Sequence, residues 1–195
     1  MADHPPLVPG AERTALVLVD LQNFALAHDW EPRNGREIVA GAARLADACR
    51  AAGILVVLVR AGGGAIRLTP PVDQGYPPLT PHPEPGELPP ELGPKPGDVV
   101  VTKYNLGAFY DTDLDAQLRR RGITTVLIGG VSTAFGVEGT ARHAHERNYH
   151  VVMVSDVIGA FTQAEHDAAL THSLPRIARV RTADQIIAEL DAGQA

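Results

Sequence analysis

The side chains with the clearest chemical potential in this chain each follow an apolar segment. Asp20 follows TALVLV, Lys103 follows DVVVT, and a turn at Gly129 and Gly130 follows TTVLI. A carboxylate at the end of an apolar strand is partly removed from water, which raises its pKa, whereas a neighbouring lysine lowers it. Such a pair suits general acid or base catalysis beside an anionic substrate or a developing oxyanion.

The apolar segments are predicted to be strands of one parallel sheet. They are apolar at nearly every position, as in strands buried on both faces, and they alternate with segments of helical spacing. The predicted strands cover 14–19, 54–59, 98–102, 124–128, 150–155 and 178–181, and the predicted helices cover 34 or 35–52, 113–121, 133 or 134–148, 164–174 and 183–192. This pattern predicts a single α/β domain over residues 1–195, a three-layer sandwich with a six-stranded parallel sheet. Ligands bind beyond the carboxyl ends of such strands, so Asp20, Lys103 and the turn are expected to meet there.

Two segments have no regular spacing of apolar residues. Residues 1–13 are a Pro-rich stretch that we predict to be a flexible lead-in. Residues 61–97 contain eleven of the sixteen prolines and are predicted to form a long ordered loop. Loops of this length in a compact domain usually have a function, and we expect this one to act as a lid over a pocket.

Composition excludes several classes of protein. The formal net charge of −6 argues against nucleic acid or an anionic membrane surface as a partner, because both favour a basic face. No apolar run approaches the ~18 residues that indicate a membrane span. Cys49 is the single cysteine, which rules out a disulfide within one chain. We therefore predict a soluble cytoplasmic protein that acts on a small molecule.

The histidine pattern does not indicate a metal site. Of the eight histidines, His143 and His145 are two apart on a predicted helix and face different directions. The loop after the second strand contains only His82. We predict that the protein uses no metal and no other cofactor.

Three blocks of the sequence resemble the isochorismatase-like hydrolases. These blocks are TALVLVDLQN, VVTKYNLGAFYDTDLDAQLRRRGITTVLIGGV and VSTAFGVEGTARHA, and the resemblance extends from about Thr14 to Leu190. It implies a sheet with strand order 3-2-1-4-5-6 and a cis peptide between Val131 and Ser132. It also implies a homo-oligomer, a dimer or higher, with pockets near the subunit contacts.

The resemblance also implies a catalytic set. Most of these enzymes use an aspartate, a lysine and a cysteine, and the first two match Asp20 and Lys103. The cysteine position falls on Gly136, so a covalent thioester route has no thiolate here. Cys49 is no substitute, because helical spacing places it on the inward face of the first crossover helix as a small buried hydrophobe.

The reaction stays open between three hypotheses. True isochorismatases also have glycine at the Gly136 position, and their resemblance implies vinyl ether cleavage. In that reaction Asp20 would protonate the enolpyruvyl carbon, water would attack, and pyruvate would leave. The alternatives are an amidase in which Asp20 activates water, and a catalytically silent ligand-binding or assembly protein on the same fold.

The turn before Gly136 is predicted to contact substrate. The backbone N–H groups of Phe135 and Gly136 could bind an oxyanion or carboxylate, while close helix packing explains the glycine equally well. Ser132 and Thr133 are predicted to bind substrate rather than to attack it, because no His/Asp pair is visible to activate them. Thr133 is predicted to be the helix N-cap.

Several aromatic residues just beyond strand ends are predicted to form an apolar pocket wall, although core or subunit contacts would also explain them. These are Phe24, Trp30, Tyr104, Phe109 and Phe135. Asn23 and Arg60 are candidates for polar contacts.

Overall fold

The computed structural model describes residues 6–62 and 71–193, and these form one parallel six-stranded sheet. The strands are β1 Thr14–Val19, β2 Leu55–Ala61, β3 Val99–Lys103, β4 Thr125–Val131, β5 His150–Gly159 and β6 Arg179–Arg181. They lie in the order β3-β2-β1-β4-β5-β6, and every neighbouring pair is parallel. The predicted fold class and strand order are confirmed.

The helices connect the strands and cover both faces of the sheet. They are α1 Asn23–Ala27, α2 Gly35–Ala51, α3 Leu114–Arg120, α4 Glu138–Glu146, α5 Gln163–Ala168 and α6 Ala183–Gly193. Single 3₁₀ turns lie at Ala11–Arg13, Pro90–Leu92 and Leu174–Arg176, and π-helical turns lie at Thr133–Val137 and Ala169–Ser173. Among the described residues, no helix is both long and apolar enough to cross a membrane.

Alternate residues of β1 pack into two separate cores. Leu16 and Leu18 lie in the core that includes Leu45 of α2. Ala15 and Val17 lie in the core that includes Leu114 of α3. Because successive side chains of a strand point to opposite faces, this division produces the predicted three layers.

Cys49 lies in the first of these cores and is fully buried. Burial raises the pKa of its thiol to about 12. The thiol is therefore protonated and unreactive at neutral pH, as the sequence predicted for a small buried hydrophobe.

The boundaries of β4 differ from the prediction. Gly129 and Gly130 were expected in a turn, which is wrong, because both pair with β1 as part of β4. Gly130 has φ 126°, and a Cβ on it would lie 2.0 Å from the Val19 carbonyl oxygen. Only glycine permits this conformation and this approach, so the residue that suggested a turn instead keeps β4 against β1.

Two predicted helices also differ from the structure. The segments 133–148 and 164–174 were expected to be continuous α-helices, but each contains a π-helical turn. The sequence pattern does not distinguish the two helix types here, because each π-helical turn has only 5 residues. A segment that short holds too few apolar residues to show a different spacing. The short helix α1 was not predicted.

The described part of the Pro-rich loop is tied to the chain just after β1. The Gln22 side chain donates to Gly86 O at 2.7 Å and accepts from Ala61 N at 2.8 Å. Asn23 N donates to Glu87 O at 2.8 Å. Residues 63–70 of the predicted lid and residues 1–5 of the predicted lead-in lie outside the described residues. Residues 71–97 thus cross the carboxyl end of β1.

We expect Gly130→Ala to destabilise the fold by about 3 kcal/mol or more, because backbone strain and overpacking act together. Gly122→Ala is a matched control, since Gly122 also has a positive φ but its Cβ would have no neighbour within 4 Å. It should cost roughly 1 kcal/mol from strain alone. Urea unfolding measures both values, and equal costs would contradict the close approach of β4 to β1.

Candidate active site

Asp20 and Lys103 form a buried ion pair at the carboxyl edge of the sheet. Asp20 directly follows β1 and Lys103 ends β3, and β2 lies between these strands. The Lys103 Nζ lies 2.7 Å from Asp20 Oδ2, and the residues are 4% and 8% exposed. Lys103 Nζ also donates to Asn105 O at 3.1 Å. The two residues that the sequence singled out are therefore in direct contact.

The second oxygen of Asp20 has no hydrogen-bond partner. Asp20 Oδ1 is buried and unpaired within the part of the chain that the structure describes. The backbone of Asp20 has φ 56°, a left-handed conformation that aspartate tolerates better than most residues. Its N–H donates to Val59 O at 2.8 Å, which ties this residue to β2. A buried carboxylate oxygen without a partner is available to a substrate or a water molecule.

Burial controls the pKa of Asp20. Removal of the carboxylate from water raises its pKa to about 6, against opposing contributions from the charge and hydrogen bond of Lys103 and from the Ala61 backbone. The sequence left this balance undecided, and in the structure desolvation outweighs attraction. A carboxyl group with a pKa near neutrality can both donate and accept a proton during a reaction.

Gly136 faces Asp20 across the end of β4. A Cβ on Gly136 would lie 3.2 Å from Asp20 Oδ2 and 3.2 Å from Val131 O. A side chain at this position would therefore point at the carboxylate and be in tight contact with it, and glycine avoids that contact. The peptide bond between Val131 and Ser132 is cis, as the resemblance implied.

Hydrogen bonds hold the turn that carries Gly136. The Thr140 hydroxyl donates to Gly136 O at 2.7 Å and accepts from Ala108 N at 3.0 Å, which joins the turn to the segment after Lys103. The Phe135 N–H donates to Ser132 O at 3.1 Å. The Phe135 amide is thus engaged within the turn and is not free for the anion-binding role that the sequence predicted for it.

Thr133 does not act as a helix N-cap. Ser132 occupies the cap position without a side-chain capping bond, and the Thr133 hydroxyl lies 3.3 Å from Nδ1 of His166 on α5. Both side chains are buried, and burial lowers the pKa of His166. His166 was not predicted from the sequence, because it lies 33 residues from Thr133 and belongs to no motif. The hydroxyl oxygen of Ser132 is buried without a partner among the described residues.

Aromatic rings meet beside this turn. The Phe135 ring lies 5.0 Å from that of Tyr76 in the Pro-rich loop and 6.1 Å from that of Phe161 after β5. Trp30 packs 5.0 Å from Phe161 but is buried in the core, where its indole N–H donates to Ala25 O at 2.9 Å. Tyr76 and Phe161 were not singled out from the sequence, because only the folded loop and the end of β5 bring them to Phe135.

The other predicted contacts are spread more widely. Phe109 packs on Tyr149 at the amino end of β5, so the structure does not bring it to Asp20. The Tyr104 ring lies against Gly62, and Phe24 packs against the first core. Among the other described residues, the Asn23 side chain bonds Glu84 O in the loop and Arg60 Nε bonds Thr102 Oγ1.

Potential metal ligands are not grouped together in the described part of the chain. Within residues 6–62 and 71–193, no group of three or more His, Cys, Asp and Glu side chains is arranged to hold a metal ion.

Comparison with known proteins agrees with this arrangement. A family model described as the isochorismatase domain matches residues 14–185. The chain belongs to the isochorismatase family. Members of this family are hydrolases, and the matched residues include Asp20, Lys103 and Gly136.

Isochorismatase-family relatives cover nearly the whole chain. YecD of Escherichia coli O157:H7, described as an uncharacterized isochorismatase family protein, is 41% identical over 91% of this chain and 96% of its own length. The structure of an isochorismatase family protein from Burkholderia thailandensis has a TM-score of 0.84 and 42% identity, with 92% of this chain and 96% of that chain covered. The ureidoacrylate amidohydrolase RutB of Methylorubrum extorquens is 32% identical over 77% of this chain and 71% of its own length.

We expect the neutral double variant Asp20→Leu/Lys103→Met to be more stable than the native chain by about 1 to 4 kcal/mol at pH 8, because it replaces two buried charges with apolar side chains. The folded-state pKa of Asp20, about 6, lies above its ordinary value of 3.8. Ionisation of Asp20 therefore lowers the stability of the native chain as the pH rises from 3.8 through 6, and the advantage of the variant should grow over that window. Urea unfolding at pH 4, 6 and 8 measures this difference.

Either single substitution should destabilise the protein, because each leaves one buried charge without its partner. A double variant that is less stable than the native chain at pH 8 would show that attraction outweighs desolvation in this pair.

Proposed function

We propose that this isochorismatase-family hydrolase cleaves a small organic acid or related metabolite by acid–base catalysis at Asp20, without a covalent intermediate. The observation that carries the proposal is the position of Asp20. Its carboxyl group is buried, held by Lys103 at 2.7 Å, and faces Gly136, where a Cβ would lie 3.2 Å from Oδ2. A vinyl ether of the enolpyruvyl type suits this site, because its hydrolysis needs an acid and water but no protein nucleophile.

Vinyl ether cleavage needs only Asp20 and one water molecule. Protonated Asp20 donates its proton to the terminal CH₂ carbon of the enolpyruvyl group, which produces an oxocarbenium ion. Water adds to the cationic carbon and loses a proton to the Asp20 carboxylate, and the resulting hemiketal collapses to an alcohol and pyruvate. Asp20 ends the cycle in its starting state.

Lys103 and the turn have supporting roles in this scheme. The Lys103 ammonium holds Asp20 Oδ2 in place and would attract a carboxylate group of the substrate. The unpaired Asp20 Oδ1 is the oxygen available for proton transfer. Glycine at position 136 keeps a side chain away from Asp20 Oδ2, and in this scheme the Gly136 amide binds an anionic group of the substrate.

Amide hydrolysis is the second candidate. Two observations favour it: the similarity to RutB, whose name records an amidohydrolase, and the direction of a Cβ at Gly136 towards Asp20. In this scheme ionised Asp20 accepts a proton from water, the water attacks the amide carbon, and the proton passes to the leaving nitrogen. The family relation and the Asp20–Lys103 pair favour either reaction over a silent binding protein.

We expect Asp20→Asn to lower kcat/KM by about 10²- to 10⁴-fold, the usual contribution of a general acid or base. Pyruvate release from a panel of enolpyruvyl ethers, coupled to lactate dehydrogenase, measures this change. Asp191→Asn, at an exposed position on α6, is the control and should leave the rate unchanged. Full activity in Asp20→Asn would refute the proposal.

The pH profile follows from the same carboxyl group. If protonated Asp20 is the acid, kcat/KM should fall about tenfold per pH unit above the pKa of about 6. Iodoacetamide should leave the rate unchanged, because Cys49 is buried. A rate that rises with pH through 6 would instead support water activation by ionised Asp20.

Gly136→Cys distinguishes the two candidate reactions. The new Cβ would meet Asp20 Oδ2 and Val131 O at 3.2 Å, so the turn must adjust by a few tenths of an ångström. If the site hydrolyses amides, a thiol here should raise ammonia release from carbamoyl compounds at least tenfold and make it sensitive to iodoacetamide. Gly136→Ala occupies the same space without a thiol and is the matched control. No gain on any amide, with loss of pyruvate release in both variants, would support vinyl ether cleavage.

A further inference from the structure

We propose that His166 is a positioning residue for the reaction, and that it acts through Thr133 to hold the π-helical turn in the register that points Gly136 at Asp20. The proposal rests on the proposed role of Asp20. It adds a residue from α5, an element that carries none of the residues predicted to be catalytic.

The turn between β4 and α4 has an unusual hydrogen-bond pattern. Val137 N donates to Ser132 O at 3.2 Å, five residues back, and Phe135 N donates to the same oxygen at 3.1 Å. This π-helical spacing is rare, because α-helical bonding four residues back is the better local geometry. Contacts from outside the turn must therefore stabilise it.

The two ends of the turn are held by buried hydroxyl groups. At the far end, Thr140 donates to Gly136 O at 2.7 Å. At the near end, Thr133 lies 3.3 Å from His166 Nδ1, and both residues are at most 4% exposed. This near contact is made with a different helix, so it fixes the first residue of the turn relative to the rest of the fold.

The register of this turn decides where Gly136 points. If the segment relaxed to α-helical bonding, its register would change by one residue, which is a rotation of roughly 100° in an α-helix. Such a rotation would turn the Gly136 Cα–Cβ direction away from Asp20 Oδ2, from which a Cβ is now 3.2 Å away. His166 thereby controls the shape of the space in which water or substrate meets the carboxyl group.

The pair does not fit a nucleophile and its base. Thr133 is 0% exposed, so its hydroxyl has no surface for a substrate to reach. Burial lowers the pKa of His166, which keeps the ring neutral at pH 7 with one nitrogen able to accept and one to donate. The neutral His166 ring and the Thr133 hydroxyl therefore form a contact that joins α5 to the π-helical turn.

The first test needs no substrate. In a Gly136→Cys background, the introduced thiol should be alkylated by iodoacetamide at pH 7.5, while Cys49 stays protected in the core. Adding Asp20→Asn removes the adjacent negative charge and should raise the alkylation rate at least fivefold, because that charge disfavours the thiolate. The ratio of the alkylation rate with Asp20→Asn to the rate without it reports how closely position 136 faces Asp20. Differences in how easily iodoacetamide reaches the thiol affect both rates and cancel from the ratio.

Thr133→Val or His166→Leu in that background should reduce the ratio to below twofold. Thr133→Ser and His166→Asn, which keep a polar atom near the same place, should keep most of it. Thr125→Val is the matched control, because it removes a buried hydroxyl at the opposite end of β4 and should leave the ratio at its full value.

The second test uses turnover of the native Gly136 enzyme. Thr133→Val and His166→Leu should each lower kcat at least tenfold with KM changed less than threefold, and the double variant should be no worse than either single one. If Thr133→Val or His166→Leu does not fold, Thr133→Ser and His166→Asn test the proposal instead. A small reduction of the alkylation ratio in these two variants supports it, and an unchanged ratio contradicts it. A full ratio in Thr133→Val, or strictly additive losses in the double variant, would overturn the proposal, and Asp20 could still be catalytic.

Discussion

The desolvation of Asp20 is the interaction on which the site depends. Burial raises the pKa of its carboxyl group to about 6, although Lys103 Nζ lies only 2.7 Å away and opposes the shift. Attraction alone would keep the group ionised at every physiological pH, and it could then act only as a base. Burial alone would leave a neutral acid beside an uncompensated ammonium group. The two effects together produce a carboxyl group that changes its protonation state near neutrality.

The parallel sheet makes this burial possible. Asp20 follows β1, whose side chains are buried on both faces, and Lys103 ends the edge strand β3, where it is itself 4% exposed. Residues 71–97 are tied to the chain just after β1. Charged groups at the carboxyl ends of such strands have lost most of their water but still face a crevice. Placing the two charges where water is excluded costs stability.

The absence of a side chain at Gly136 changes what this carboxyl group can do. In thiol-containing relatives of the kind that the resemblance implied, a cysteine would point from this position towards Asp20. Here the position has no side chain, and a Cβ on it would lie 3.2 Å from both Asp20 Oδ2 and Val131 O. Thr140 donates to the backbone of this turn, and the Thr133 side chain contacts His166 of α5. In the proposed mechanism the shape of this turn places Gly136 beside Asp20.

The sequence by itself determined the class of fold, the strand order implied by its resemblance, and the ion pair. Continuous apolar runs can be recognised from neighbouring residues alone, and they predict the strands. The residues that follow each run lie at the sheet edge because the strand ends there. The sequence could not show that Gly130 belongs to β4, because the reason is a close approach of the Val19 backbone from a distant strand. It could not find His166, Tyr76 or Phe161, which reach the turn only when α5, the loop and the end of β5 have packed. Tertiary structure also decided the pKa of Asp20, because desolvation depends on everything that surrounds a group and not on its neighbours along the chain.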